Sequence, residues 1–258
     1  IDLQEILIKD QQKDTLLYTH SLKLRIADIF FSSSKPTIKY IGLEGAKIYL
    51  HRSTERWNYQ FLLDYLSKDT TQQNSAYDLK KIEIAQINFI QDDQWVGQSM
   101  QLQAANIIAN FGIFNDKLIQ IDQLVANKPF YTIQNKKGLR KSLPSIKSTS
   151  IASTGLYFNN PNTIIIAKQI KIAQGKLWIE NDFAKPTTAF DGFHIRLSEL
   201  NAEINNASFV KDTIKANVQL STKERSGLVI QQLKTQFRMT PTIMELNKLY
   251  IKTNKSIL

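Results

Sequence analysis

Cysteine is absent from these 258 residues, which removes disulfides, thiolate nucleophiles and zinc-finger frameworks at once. The absence fits an oxidising compartment, where stray thiols are avoided. Long apolar runs are missing too: none approaches the roughly 18 residues that a membrane-crossing helix needs. The chain shows no signal peptide and starts in mid-pattern at Ile1, without Met. That start suggests a piece of something longer, whose anchor or targeting segment lies outside it.

The usual signatures of chemistry are lacking. There is no G-x-x-x-x-G-K-S/T, no G-x-G-x-x-G, no H-E-x-x-H and no G-x-S-x-G. Histidine occurs only at His20, His51 and His194, far apart and without ligand-spaced neighbours, so each reads as a surface or strand residue. Asp92-Asp93, and Glu180, Asp182 and Asp191, sit where turns are expected. Nothing here points to an enzyme, a metal site or a cofactor. Two sequons, Asn206-Ala207-Ser208 and Asn254-Lys255-Ser256, are too common a pattern to weigh.

Net charge is +10, but the basic residues are spread along the chain among Asp and Glu. The exception is Lys136, Lys137, Arg140, Lys141 and Lys147, inside a Ser-, Thr-, Gly- and Pro-containing stretch from Asn135 to Asn162. That stretch reads as a solvated connecting loop, or as a contact to lipid phosphates, through Lys136, Lys137, Arg140 and Lys141, or to an acidic partner. Nucleic acid is not an expected partner, because basic residues and aromatics meet only at isolated points such as Phe237-Arg238 and Trp178.

What is present is a recurring phrase. Apolar residues make up 42% of the chain at a mean hydropathy of −0.28, so apolar and polar positions are finely interleaved. Ile82-Glu83-Ile84-Ala85-Gln86-Ile87-Asn88-Phe89 follows the pattern apolar, any, apolar, two residues, apolar, any, apolar. Its core returns as Ile170-Lys171-Ile172-Ala173-Gln174, and Ile1, Leu3, Ile6 and Ile8 fit as well. Further copies run through Leu22, Leu24, Ala27 and Ile29, then Ile41, Leu43, Ala46 and Ile48, then Met100, Leu102, Ala105 and Ile107, then Ile119, Ile121, Leu124 and Ala126. Later ones run through Ile195, Leu197, Leu200 and Ala202, then Leu228, Ile230 and Leu233, then Met244, Leu246, Leu249 and Ile251. Four apolar positions match by chance about 3% of the time, roughly eight times in such a chain. The shared Ile-x-Ile-Ala-Gln, the spacing near 20 residues and the polar turns at Gln11–Asp14 and Ser32–Pro36 carry more weight than the count.

In a strand of period 2, Ile82 and Ile84 share one face while Ile87 and Phe89 fall on the other. One extra residue, a β-bulge, returns both pairs to a common face and bends the strand. Strands that bend at the same level make a trough. The reading is therefore a mainly β chain: one long, curved antiparallel sheet over 1–258, in blocks 1–66, 82–134 and 164–258 joined by linkers 67–81 and 135–163. One register slip exchanges the two faces, so which is the inner one stays open. Trp57 to Leu66 predicts a short amphipathic helix capped by Asn58. Its face of Trp57, Phe61, Leu62, Tyr65 and Leu66 must dock on the sheet, as an end cap or a gate, because so few residues hold no helix alone.

Phe190-Asp191, His194-Ile195, Asp212-Thr213-Ile214, Lys223 to Leu228 and Leu249-x-Ile251-x-Thr253-x-x-Ser256 resemble the amino-terminal, AsmA-like region of TamB-type proteins. These are translocation and assembly module components of the Gram-negative envelope. Asn58 to Asp64 is similar to the helix found there, and Asp14 to Leu17 to its turn-and-strand opening. The resemblance implies a taco-shaped β-groove with an apolar interior. It also implies a periplasmic setting, an inner-membrane tether outside this chain, and a role in outer-membrane biogenesis and protein secretion. Phospholipid would be the ligand and an outer-membrane barrel protein the partner. The groove lining would be Ile82, Ile84, Ile87, Phe89, Ile170, Ile172, Leu177, Ile195, Leu197, Leu246, Leu249 and Ile251. Two other readings stand beside this one: a scaffold pairing its strand edge with outer-membrane protein strands, and a closed β-sandwich binding module.

Overall fold

The structure is a computed structural model that describes residues 1–27, 37–68, 78–140 and 163–257, with the backbone alone over 66–68. The expected phrase through Ile29, the turn at Ser32–Pro36, most of the two linkers, and Lys141 and Lys147 lie outside the described residues.

Thirteen strands form one open sheet. The first block is β1 (Asp2–Lys9), β2 (Thr15–Ala27), β3 (Thr37–Glu44) and β4 (Lys47–Arg52), followed by helix α1 (Gln60–Lys68). Next come β5 (Lys81–Asp93), β6 (Gln98–Phe114), β7 (Leu118–Asn127) and β8 (Phe130–Asn135). The last stretch holds β9 (Ile164–Asn181), β10 (Ile195–Val210), β11 (Thr213–Glu224), β12 (Val229–Met239) and β13 (Met244–Thr253). β3 and β4 lie end to end as one rung, and so do β7 and β8. β1 and β13 are the outer edges.

The sheet is mixed, not antiparallel throughout. The rung β3–β4 runs parallel to β5, and the rung β7–β8 parallel to β9. The reason is geometric. A three-rung block begins and ends in the same direction, so the next block, starting after a return connection, lies parallel to the last rung. The returns are the long connections after Arg52 and after Asn135.

Glu5, Gly45, Gln86, Lys128, Gln174 and Glu199 all have left-handed backbone, with φ between 50° and 64°. They fall on one transverse row. Its flanking pairs are Ile6↔Thr19, Tyr18↔Lys47, Lys47↔Asn88, Ile87↔Ala104, Gln103↔Phe130, Phe130↔Lys176 and Leu200↔Gly175. At this crease each strand spends one residue without changing face, as the two-residue gap in the phrase predicts. Ile84 and Ile87, of opposite parity, accordingly pack in one cluster with Leu43, Ala46, Phe89, Ala104 and Ile107.

Descending strands meet the crease from the other side, which moves the phrase. In β6 it reads Leu102, Ala104, Ile107 and Ala109, so Ala105 lies exposed on the crease and does not face inward. In β2 it reads Leu17, Thr19, Leu22 and Leu24 rather than Leu22 to Ile29. Three buried threonines on this face repair the ladder where bulges interrupt it. Thr19 donates to the carbonyls of Ser21 (3.0 Å) and Glu44 (2.9 Å), Thr222 to Ser198 (2.9 Å) and Thr235 to Asn247 (3.0 Å).

Turns follow side-chain chemistry. The Asp10 carboxylate accepts the Gln12 and Asp14 N–H groups, both at 2.9 Å, and Asn115 Oδ1 those of Lys117 (3.0 Å) and Leu118 (2.8 Å). Such Asx turns close hairpins without glycine.

Candidate functional site

Directly paired residues share a sheet face, so the register assigns every side chain. Ile82, Ile84, Ile87 and Phe89 lie opposite Ala109, Ile107, Ala104 and Leu102. Ile170 and Ile172 lie beside Leu124 and Ala126, and opposite Ile204 and Ala202. Leu177 faces Leu197, and Ile195 faces Ile179. Leu246 faces Phe237, Ile251 faces Leu233, and Leu249 points the same way two residues before Ile251. All twelve lie on one face, which runs unbroken from Leu3 and Ile6 in β1 to Leu249 and Ile251 in β13.

The opposite face is polar. Asn88 and Gln101, Gln123 and Gln169, and Gln169 and Glu203 are hydrogen-bonded across strands at 2.9, 3.0 and 2.8 Å. Tyr40 donates to Glu83 at 2.8 Å. The aromatics on this side are held by neighbours: Phe130 meets Trp178 edge-to-face at 4.8 Å, and the Arg196 guanidinium lies 4.9 Å from the Trp178 ring.

Nothing among the described residues covers the apolar face. Every element-to-element contact there joins hydrogen-bonded neighbours within the sheet. The small residues Ala46, Ala104, Ala109, Ala126 and Ala167 are buried between their larger neighbours, while most Ile and Leu side chains on this face are half-buried. A closed sandwich needs a second sheet roughly 10 Å away, and the described residues provide none. A cavity of about 670 Å³ lies on the crease, where Lys47, Lys128, Lys176, Gln86 and Gln174 stand beside Ile87, Ala104, Pro129 and Phe130. It is a notch of mixed lining. The apolar face is a broad wall.

Other expected residues fall differently. Helix α1 starts at Gln60, and Asn58 does not cap it. Asn58 Oδ1 accepts the His51 N–H (3.0 Å) and its Nδ2 donates to the Tyr49 carbonyl (3.1 Å) and Asp10 (3.3 Å), tying the loop to β4. Trp57 stacks on Arg52, whose guanidinium lies 4.7 Å from the ring. Arg52 in turn makes a two-pronged pair with Asp93 at 2.8 and 2.6 Å. Burial pushes the Asp93 carboxyl up, but the bonds from Arg52 and Val96 outweigh this and hold it below its ordinary value. Phe61 and Leu62 are half-buried and Tyr65 is exposed. Just ahead of α1, the Arg52–Trp57–Asn58 contacts anchor the chain to β4 and β5.

The basic cluster divides. Lys136 pairs with Asp92 at 2.7 Å, which uses its charge internally, while Lys137 and Arg140 are exposed. Asp10, Asp14 and His51 bring ligand atoms within 4.8 Å of one another. The hydrogen bonds already made to Asp10 account for that cluster.

One constellation escaped the sequence reading. Asp191 and His194 are buried together, with His194 Nδ1 2.9 Å from the Asp191 carboxylate and Nε2 3.0 Å from the Asn181 carbonyl. Asp191 also accepts the N–H groups of Phe193 (2.9 Å) and Thr187 (3.1 Å). The Phe193 bond first, then His194 and Thr187, lower its pKa from 3.8 to about 2. Arg225 Nε closes the network on the His194 carbonyl at 3.0 Å.

Compared with protein-family models, with curated proteins and with solved structures, the chain matches none.

Proposed function

We propose that this chain is a segment of an envelope-spanning bridge whose apolar sheet face carries phospholipid acyl chains between two membranes. The carrying observation is the single apolar face that runs across all thirteen strands with no layer over it among the described residues. Apolar surface of that extent on one element marks a binding surface. Acyl chains lie along the wall and head groups stay in water. Each buried methylene gains about 0.8 kcal/mol wherever it lies on a uniform wall, so lipid is held without being fixed, as a conduit requires. The resemblance to the AsmA-like region of TamB-type proteins supports the same reading, and with it a periplasmic location and a link to outer-membrane biogenesis; the exposed charges of Lys137 and Arg140 suit head-group contacts. The test is Ile84→Asp with Ile172→Asp: lipid extracted from the purified variant should fall to a small fraction of that from the native chain, at unchanged strand content.

A second reading is favoured by the edges. Among the described residues β1 pairs with β2 alone, and β13 with β12 apart from a single bridge from Lys252 to Ile257, and Leu3, Leu7 and Leu246 on them are exposed. Such edges template an added strand, which suits a scaffold for outer-membrane protein assembly. Photo-crosslinkers in β1 or β13 that capture unfolded barrel protein, from a chain free of lipid, would favour it.

A further inference from the structure

At one end of the strands three loops are stitched together by their backbones. The Leu139 and Arg140 N–H groups donate to the carbonyls of Gln94 and Trp95, both at 2.9 Å, and Asp182 N–H donates to Asn135 at 2.9 Å. The 94–97, 136–140 and 182–194 loops therefore form one continuous rim. Its outward side chains include five large apolar ones: Phe183 is 71% exposed and Phe190 and Phe193 60% each, with Val96 and Leu139 also exposed. Large aromatics are rarely presented to water in this density.

The display is rigid. The 182–194 loop is locked by the buried Asp191–His194 pair, by Asp191's bonds to Phe193 and Thr187, and by Arg225 beneath. A buried ionisable network is a costly way to hold a connection that presents three phenylalanines to solvent. Lys137, Arg140 and Lys185 stand on the same rim. Aromatic side chains at loop tips with cations beside them match the boundary between head groups and acyl chains.

We infer that this rim is a membrane-docking surface: Phe183, Phe190 and Phe193 insert at the boundary of a phospholipid bilayer, and the cations meet its phosphates. The inference rests on the lipid-carrying reading above, since it sets one long side of the apolar face against the lipid it would exchange. The rim lies at the strand ends of β5, β6, β8, β9 and β10.

Co-sedimentation with vesicles tests it. The probes are vesicles of phosphatidylethanolamine with one quarter phosphatidylglycerol, and of phosphatidylcholine alone. The native chain should pellet with both, several-fold more with the anionic vesicles. The F183S/F190S/F193S variant, altered only at exposed side chains, should lose on the order of tenfold in partitioning with an unchanged circular dichroism spectrum. The single variant F183S serves where the triple variant does not fold. The variant with Ile84→Asp and Ile172→Asp should still pellet, because its rim is intact. A native chain that stays in the supernatant with both vesicles overturns the inference and marks the phenylalanines as a protein-docking patch. Phenylalanine variants that pellet like the native chain also overturn it, leaving the lipid-carrying face to stand or fall on its own test.

Discussion

Gln86 shows how one residue bends a strand at a known cost. Its φ of 56° is a left-handed conformation that costs an ordinary residue about 1 kcal/mol and a β-branched one more. Gln86→Val should therefore destabilise the chain by about 1–2 kcal/mol and Gln86→Gly by no more than about 0.5, as read from denaturant midpoints. Thr19 illustrates the repair that such bends require. Thr19→Val removes the one hydroxyl proton that the Ser21 and Glu44 carbonyls share beside the crease and should cost about 1–3 kcal/mol, although the volumes are equal. Asp191 gives a pH signature. Its carboxyl is held at about 2 in the fold against 3.8 unfolded, so its stabilisation is complete above the ordinary carboxylate range and is lost as pH falls through about 2. An NMR titration of the Asp191 carboxyl should show a midpoint near 2; one near 3.8 would mean that the loop lock is absent in solution. Bulge positions were legible in sequence because Ile84-x-x-Ile87 breaks a period of two. The lock was not, because Asp191 and His194, three apart, look like any turn until Asn181 and Arg225 arrive from 13 and 31 residues away.

Elements were read with uneven success, for a physical reason. Ascending rungs such as β5 and β3–β4 display the phrase with large side chains and were placed correctly. In β6 the inward positions include Ala104 and Ala109, which look neutral in sequence, so the phrase was read two residues early. The parallel junctions were hidden because parallel and antiparallel strands share one alternation; only the return connections distinguish them. Ahead of helix α1 lies an anchor that no periodicity announces, the contacts of Arg52, Trp57 and Asn58. Arg52→Ala should remove that anchor, leaving Asp93 unpaired and Trp57 without its cation. The pair is partly exposed, so the cost should be about 2 kcal/mol, below that of a fully buried ion pair. Hydrogen exchange over 53–60 should rise well above that of the strands.

On the scale of the molecule, the sheet divides apolar from polar along its whole length, and that division organises everything else. It was the most legible feature, since the twelve residues named as lining fall on one face. The crease notch beside Lys47, Lys128 and Lys176 was less legible: these lysines come from distant rungs, and only Gln86 and Gln174, which close the repeated Ile-x-Ile-Ala-Gln, share a motif. An uncovered apolar face of this size should bind an amphiphile whatever the partners at its ends. Native mass spectrometry of the purified chain, beside the variant with Ile84→Asp and Ile172→Asp, tests that most directly. The account predicts phospholipid masses on the native chain and their loss from the variant. A native chain without bound lipid, or equal lipid on both, would contradict it.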